Sequence, residues 1–317
     1  MSTLLISLDF EMFWGVAESR TIAGYRRNIE GEWEAVPKML DLFKRYGIRA
    51  TWATVGMLMC RDYSQWREIR PTILPSYNRP QCSTYSLDSV ARKNPKLFFA
   101  RPLVEQILET QGQEIASHSY SHFYCGEAGA TSEQFAADLV CAREIGTEIG
   151  VEYRSFVFPR NQVQDAYLAE LDKAGYQVFR GNPDHWLYRD GHLVAGGRAG
   201  RAVRLADAYL PISGNHVAKA SLDCGLVDLP ASLSLRPWSR QLAALESTRL
   251  QRLKCAMTAA AEAEGIFHLW WHPHNFGVNI EENMAVLESL LQHYVRLRDE
   301  FDMRSSLMGD FATGVQL

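Results

Sequence analysis

His118 and His122 stand four residues apart in the stretch GQEIASHSYSH, residues 112–122. Neutral imidazole is a common ligand for zinc and related ions, so this pair is a candidate metal site. On a helix the two rings would share a face. On a continuous strand they would lie roughly 13 Å apart, too far for one ion. The lead-in QEIAS reads as a buried strand ending at His118. Both histidines can therefore meet one ion only if the chain curls just after His118. The competing reading is two unrelated histidines, one structural and one exposed.

Other ionisable groups recur at the ends of apolar segments. LLISLDFEMF reads as a strand whose alternation puts Leu5, Ser7, Asp9 and Glu11 on one face. Two acids on one face among Phe10, Phe13 and Trp14 are costly to bury without a metal or an arginine. RSFVFPR carries Arg160 at its end, and IFHLWWHPHNF places His268, Trp270 and His272 on one face. His274 follows Pro273 and competes with His272 for any proton-transfer role. Cys125 lies close enough to His122 to be weighed as a further ligand, although free cysteine usually packs as a small hydrophobe.

These groups need elements to position them. The first strand is followed by a helix ending near Tyr46, with Gly47 as its cap and its start expected just before Pro37. IRATWATVG is the second strand. Residues 57 to about 99, rich in Pro, Ser and Tyr, break the rhythm and read as an inserted loop over the site's mouth, or a solvated loop without a role. A helix over PLVEQILETQG leads to the histidine strand, and Thr131 with Gln134 forms a capping box for the next helix. RSFVFPR, the helix DAYLAELDKAG and the strand YQVFRG continue the alternation. From about Asp184 to Pro230 the pattern is irregular. A long helix from about Trp238 to Glu264 and another over Ile280 to Phe301 flank the last strand. Strand–helix alternation of this kind implies one α/β barrel-like domain over residues 1–317. In such barrels working residues sit at strand C-terminal ends, where Asp9, Glu11, His118, His122, Arg160 and His272 all fall.

Composition narrows the function classes. A formal charge of -4 over 317 residues leaves no electrostatic footprint for nucleic acid. No apolar run approaches the roughly 20 residues of a membrane span, and the opening MSTLLISLDFEMFWG is not read as a signal peptide. The six cysteines are scattered with no C-x-x-C pair, which favours free thiols in a reducing cytoplasm.

The segments SLDFE, SHSYSH, FVFPRN and LWWHPHN resemble the motifs of the polysaccharide deacetylase family, the NodB-homology hydrolases, from about residue 4 to 276. The resemblance implies a distorted (β/α) barrel of about seven strands. It implies Asp9 as catalytic base, Glu11, His118 and His122 as ligands of one divalent ion (zinc, with cobalt or nickel also accepted), Arg160 as the arginine orienting the base, and His272 as general acid. His272 is preferred to His274 because it ends the alternating strand. Trp14, Trp270 and His274 are assigned to substrate binding. FVFPRN departs from the family by rearranging arginine and proline, and the later aspartate–tryptophan motif is represented only by Asp184 and Trp186 in NPDHW. The implied substrate is an N-acylated sugar or a nucleotide- or lipid-linked conjugate in bacterial surface-polysaccharide metabolism. The alternatives are an amidase acting on a small non-sugar amide, or a carbohydrate-binding homologue with an impaired site.

Overall fold

The computed structural model describes residues 1–185, 187–188 and 198–312, without the side chains of 198, 199 and 201. Trp186 of the NPDHW candidate lies outside the described residues. Among the described residues ten strands form one sheet: β1 (Thr3–Phe10), β2 (Ala50–Thr54), β3 (Gln113–Ser117), β4 (Ser155–Val157), β5 (Val178–Arg180), β6 (Ser221–Asp223), β7 (Leu226–Asp228), β8 (Leu233–Ser234), β9 (Ile266–Trp271) and β10 (Arg304–Ser306). Their order is β6-β7-β5-β4-β3-β2-β1-β9-β8, with β10 added to β1. All pairings are parallel except β6 with β7.

The stretch through β7 and β8 curls the sheet into a distorted barrel. Leu229 N donates to Phe179 O and Ala231 N to Gly181 O, on the β5 side. Ser232 N then donates to His268 O and Leu235 N to Trp270 O, on the β9 side. Counting β7–β8 as one stave, the ring has seven staves, β1 to β5, β7–β8 and β9. This is the (β/α) barrel expected, with extra short strands at its margins.

Alternation along β1 explains how the barrel is filled. Leu4, Ile6, Leu8 and Phe10 point outward into the main apolar core beneath the helices. Leu5 points inward and joins Ala53, Ala116, Val157, Val178, Leu229 and Met308 in a second cluster that plugs the barrel. Ser7 and Asp9 continue the inward face toward the strand's C-terminal end, so the polar site rests on an apolar floor.

The helix after β1 is longer than its sequence suggests. It runs Ile22–Tyr46, capped by the Thr21 side chain on Gly24 N and ended by Gly47 at φ 66°. Pro37 lies inside it, not at its start. Burial of Ile29, Val36, Met39, Leu40 and Phe43 outweighs the ~3 kcal/mol that an interior proline costs. The inserted region is also more ordered than expected. It carries short helices at Tyr63–Glu68 and Asp88–Lys93 and buries Cys60, Trp66, Leu97 and Phe98, while Arg79 reaches the main cavity. The Thr131–Gln134 capping box forms, and the helix Ile280–Phe301 keeps its expected bounds. The strand RSFVFPR is cut to β4, because Arg160 and Asn161 turn away with φ of 58° and 54°.

Candidate active site at the barrel mouth

β1 delivers Asp9 and, one residue past its end, Glu11. Both are buried. β3 delivers His118, and the chain then curls as a shared site requires, with Ser119 at φ 58° and His122 at φ 56°. Asp138, from the helix Ser132–Glu148, holds this curl by accepting hydrogen bonds from Tyr120 N (2.7 Å) and Ser121 N (3.0 Å). Burial pushes the Asp138 carboxyl up to about 6 against the pull of those donors. The rings of His118 and His122 end 5.1 Å apart.

Glu11 lies at the centre. Its Oε2 faces His122 Nε2 at 3.0 Å and His118 Nε2 at 3.7 Å. Its Oε1 faces His274 Nε2 at 3.0 Å and His272 Nε2 at 3.7 Å. Burial alone would raise its pKa, but the surrounding histidines outweigh that and hold the carboxyl well below the usual range. A Cβ at Gly15 would collide with this carboxylate, so the turn after β1 needs a glycine there to let Glu11 fold back.

The donor chemistry fits a cation. His118 Nδ1 lies 2.8 Å from Val157 O, and a carbonyl can only accept. Nδ1 therefore carries the proton, and Nε2 presents a lone pair to the Glu11 carboxylate. Two acceptors facing each other across 3.7 Å call for a positive ion between them. Burial lowers the pKa of His122, keeping it neutral and ready to ligate, although Glu11 pulls the other way. Glu11, His118 and His122 thus form one group able to hold a metal, and Glu11, His272 and His274 form a second. Cys125 is in neither group.

Asp9 is held by Arg180, not Arg160. Arg180 donates from Nη1 to Asp9 Oδ1 (2.7 Å) and from Nη2 to Asp9 Oδ2 (2.8 Å). It also donates to Ser7 Oγ (2.9 Å) and Asn161 Oδ1 (2.8 Å), and it lies 4.6 Å from the centroid of the Trp270 ring. Ser7 in turn meets His268 Nε2 at 2.9 Å. Burial would raise the Asp9 pKa, but the Arg180 charge and hydrogen bonds prevail and keep it below its ordinary value. The expectation for Arg160 is corrected accordingly. The turn at Phe158–Asn161 sends its guanidinium to Glu18 and to Glu127 (3.0 Å), and gives Asn161 to Arg180. Arg180 sits at the C-terminal end of β5, so the strand-end rule already pointed to it.

Trp14 is also corrected. It is fully buried, donates from Nε1 to Phe98 O (2.8 Å) and packs on Trp66, Phe98 and Phe99, so it braces the turn after Glu11 out of a substrate's reach. Trp270 and His272 line the main cavity, a space of about 790 Å³ that also takes in Asp9, Glu11 and His122. His272 Nε2 lies 3.8 Å from Asp9 Oδ2, and its side chain is 30% exposed. Burial lowers its pKa, with Glu11 and Asp9 opposing. His274 is buried behind Glu11, with Nδ1 2.9 Å from Tyr25 Oη. Of the two histidines, His272 faces the cavity and His274 faces the interior.

The model of the polysaccharide deacetylase family matches residues 30–179. No curated protein matches the chain. Among solved structures, a protein named as a polysaccharide deacetylase from Mycobacterium smegmatis superposes with a TM-score of 0.60 at 15% identity, covering 98% of this chain and 89% of that one. One so named from Pseudomonas aeruginosa PAO1 gives 0.54 at 15% identity, over 98% and 89%. The allantoinase PuuE gives 0.51 at 13% identity, over 98% and 88%. At these identities the likeness is one of fold.

Proposed function

We propose, from the polysaccharide deacetylase family model that matches residues 30–179, that the chain is a metal-dependent hydrolase that removes an N-acyl group, acetyl in the first instance, from a sugar of bacterial surface-polysaccharide metabolism. The observation that carries this reading is one cavity lined by Asp9, Glu11 and His122, with Arg180 clamping Asp9 and His118 grouped with Glu11 and His122.

Glu11, His118 and His122 would hold the ion, with zinc as the first choice and cobalt or nickel acceptable to the same donors. A divalent ion there supplies Lewis acidity toward water and an amide carbonyl. Asp9 acts as general base, taking a proton from the attacking water. Arg180 keeps Asp9 ionised and aimed, and Ser7 and Asn161 fix Arg180 in turn. His272, at the cavity wall, gives a proton to the departing sugar amine. Trp270 offers an aromatic face for a sugar ring while covering Arg180. His274 orients Glu11 from behind in place of the substrate contact expected from sequence. The products are a carboxylate and a free amino sugar. No helix among the described residues is long and apolar enough to cross a membrane. The cytoplasm is the proposed compartment, since four of the six cysteines are buried as free thiols.

Metal analysis of the purified protein beside Glu11→Ala, His118→Ala and Asp9→Asn tests the assignment. About one ion per chain is expected in the wild type and in Asp9→Asn, with loss in the other two. Asp9→Asn should lower turnover of an N-acetyl sugar by at least ~100-fold. A wild type that takes up no metal from zinc or cobalt would sink the reading.

A further inference from the structure

The hydrogen bonds behind Asp9 run on through the barrel to a histidine that the proposed chemistry leaves unused. His268 lies on β9, two residues before Trp270 on the same inward face. It is fully buried, as are Ser7 and Arg180. Its Nε2 meets Ser7 Oγ at 2.9 Å, and its Nδ1 meets Leu229 O at 3.1 Å. Its backbone N–H donates to Ser232 Oγ (3.0 Å), which anchors the strand at that point. The relay joins β9, β1 and β5, with Leu229 supplied by the stretch between β7 and β8.

The direction of each bond in this relay is fixed. A carbonyl oxygen only accepts, so His268 Nδ1 carries the proton and Nε2 holds a lone pair. Ser7 Oγ–H therefore donates to Nε2, and the Ser7 oxygen is left to accept from Arg180 Nη1, 2.9 Å away. This places all four terminal N–H groups of Arg180. Nη1 donates to Asp9 and Ser7, and Nη2 donates to Asp9 and Asn161. The guanidinium plane is pinned at both outer corners, by Ser7 at one and Asn161 at the other. The opposite tautomer of His268 would break this pattern. It would set a lone pair against Leu229 O and leave the buried Ser7 hydroxyl hydrogen in need of another acceptor. A charged ring is disfavoured as well. Burial, with the Arg180 charge pressing the same way, pushes the His268 pKa down to about 3 against the pull of Leu229 O and Asp9.

We infer that His268 is a positioning residue for Asp9, a neutral acceptor that turns the Ser7 oxygen toward Arg180 and so sets the plane of the guanidinium that aims the base. The role of Asp9 rests on the hydrolase reading, whereas the relay stands on the geometry. An apolar side chain at 268 would free the Ser7 hydroxyl to rotate and release one corner of the arginine fork.

Two arms test the inference. In the first, imidazole nitrogen shifts are read by NMR on zinc-loaded protein isotopically labelled at histidine, with His268 identified by the signals lost in His268→Gln. The ring should stay neutral with its proton on Nδ1 from about pH 5 to 8, the range in which an ordinary imidazole changes charge. Its Nε2 signal should move in Ser7→Ala. A proton on Nε2, a ring that charges within that range, or an Nε2 signal indifferent to Ser7→Ala overturns the relay. In the second arm, kcat, KM and zinc content are compared on an N-acetyl sugar. His268→Phe keeps a flat ring and removes the acceptor, while His268→Gln keeps a neutral group able to accept from Ser7 and donate to Leu229 O. In His268→Phe and Ser7→Ala kcat should fall about tenfold with KM and zinc content unchanged, the worth of one hydrogen bond to a charged group. In His268→Gln it should recover to within about threefold of wild type. A role in packing alone predicts the reverse order, because phenylalanine matches the ring's shape better than glutamine. That order, or an unchanged kcat in His268→Phe, overturns the positioning role. If His268→Phe does not fold, Ser7→Ala against His268→Gln makes the same comparison, and equal kcat in the two overturns the role. Absence of turnover by the wild type tells against the hydrolase reading instead, and the NMR arm still decides the relay.

Discussion

Arg160 and Arg180 carry the same charge near the same cavity, yet only Arg180 reaches Asp9. The difference lies in the backbone. β5 ends at Arg180 with its side chain directed inward, whereas Arg160 follows Pro159 in a left-handed turn that faces Glu18 and Glu127. Arg180→Lys keeps the charge and removes the paired donors. Turnover should drop by about 10- to 100-fold, the worth of one to two charge-assisted hydrogen bonds. The sign of the pH effect follows from the depressed Asp9 pKa. A base works when ionised, so weakening its partner raises that pKa and moves the acid limb of kcat/KM to higher pH. Arg160→Ala should leave the acid limb in place. A matching limb shift in both variants would return the orienting role to Arg160. Asp9, Glu11, His118 and His272 were legible in the sequence because each ends or follows an apolar strand. Arg180 satisfies the same rule at the end of YQVFRG, but only FVFPRN carries the family-like motif, and that motif points to Arg160.

At the scale of elements, two turns make the site. One is the curl from His118 to His122, which Asp138 holds through two backbone N–H groups. The need for that curl was legible from the four-residue spacing, while Asp138, sixteen residues beyond His122, carried no local signal. The other is the turn after β1, where Gly15 makes room for the Glu11 carboxylate. Gly15→Ala would press a methyl group onto that carboxylate. Metal affinity should fall about 10- to 100-fold, the usual cost of disturbing a ligand's support. Cooperative thermal unfolding should persist, because the collision is confined to one movable side chain. Unchanged metal affinity would show that Glu11 takes another path to the site. Trp14 belongs to the same turn. The turn rotates it into the core, away from the substrate contact expected of it.

The whole molecule buries more charge than its proposed chemistry uses. Glu32 sits in the helix Ile22–Tyr46, fully buried, with no ion pair among the described residues. Burial, with the charge of Glu11 adding to it, pushes its pKa well above the ordinary carboxylate value. The native state therefore holds a proton that the unfolded chain releases above about pH 4.5. That contribution is fully present below the unfolded pKa and is lost as pH rises through the native one. Glu32→Gln cannot ionise and escapes the loss. Its stability relative to wild type should rise with pH between 5 and 8, by up to about 1.4 kcal/mol per unit. Parallel stability curves, measured by denaturant titration at each pH, would contradict this.

The sequence by itself determined the alternation of strands and helices, strand ends within a residue of Asp9, His118 and His272, and so the side of the barrel on which polar groups gather. These follow from local periodicity and capping, which the chain carries within a dozen residues. Only the tertiary structure decided which arginine clamps Asp9, that Trp14 is core, that His272 faces the cavity while His274 lies behind Glu11, and that residues 57–99 form short helices and bury Cys60, Trp66, Leu97 and Phe98. Each of those depends on contacts between segments far apart in the chain.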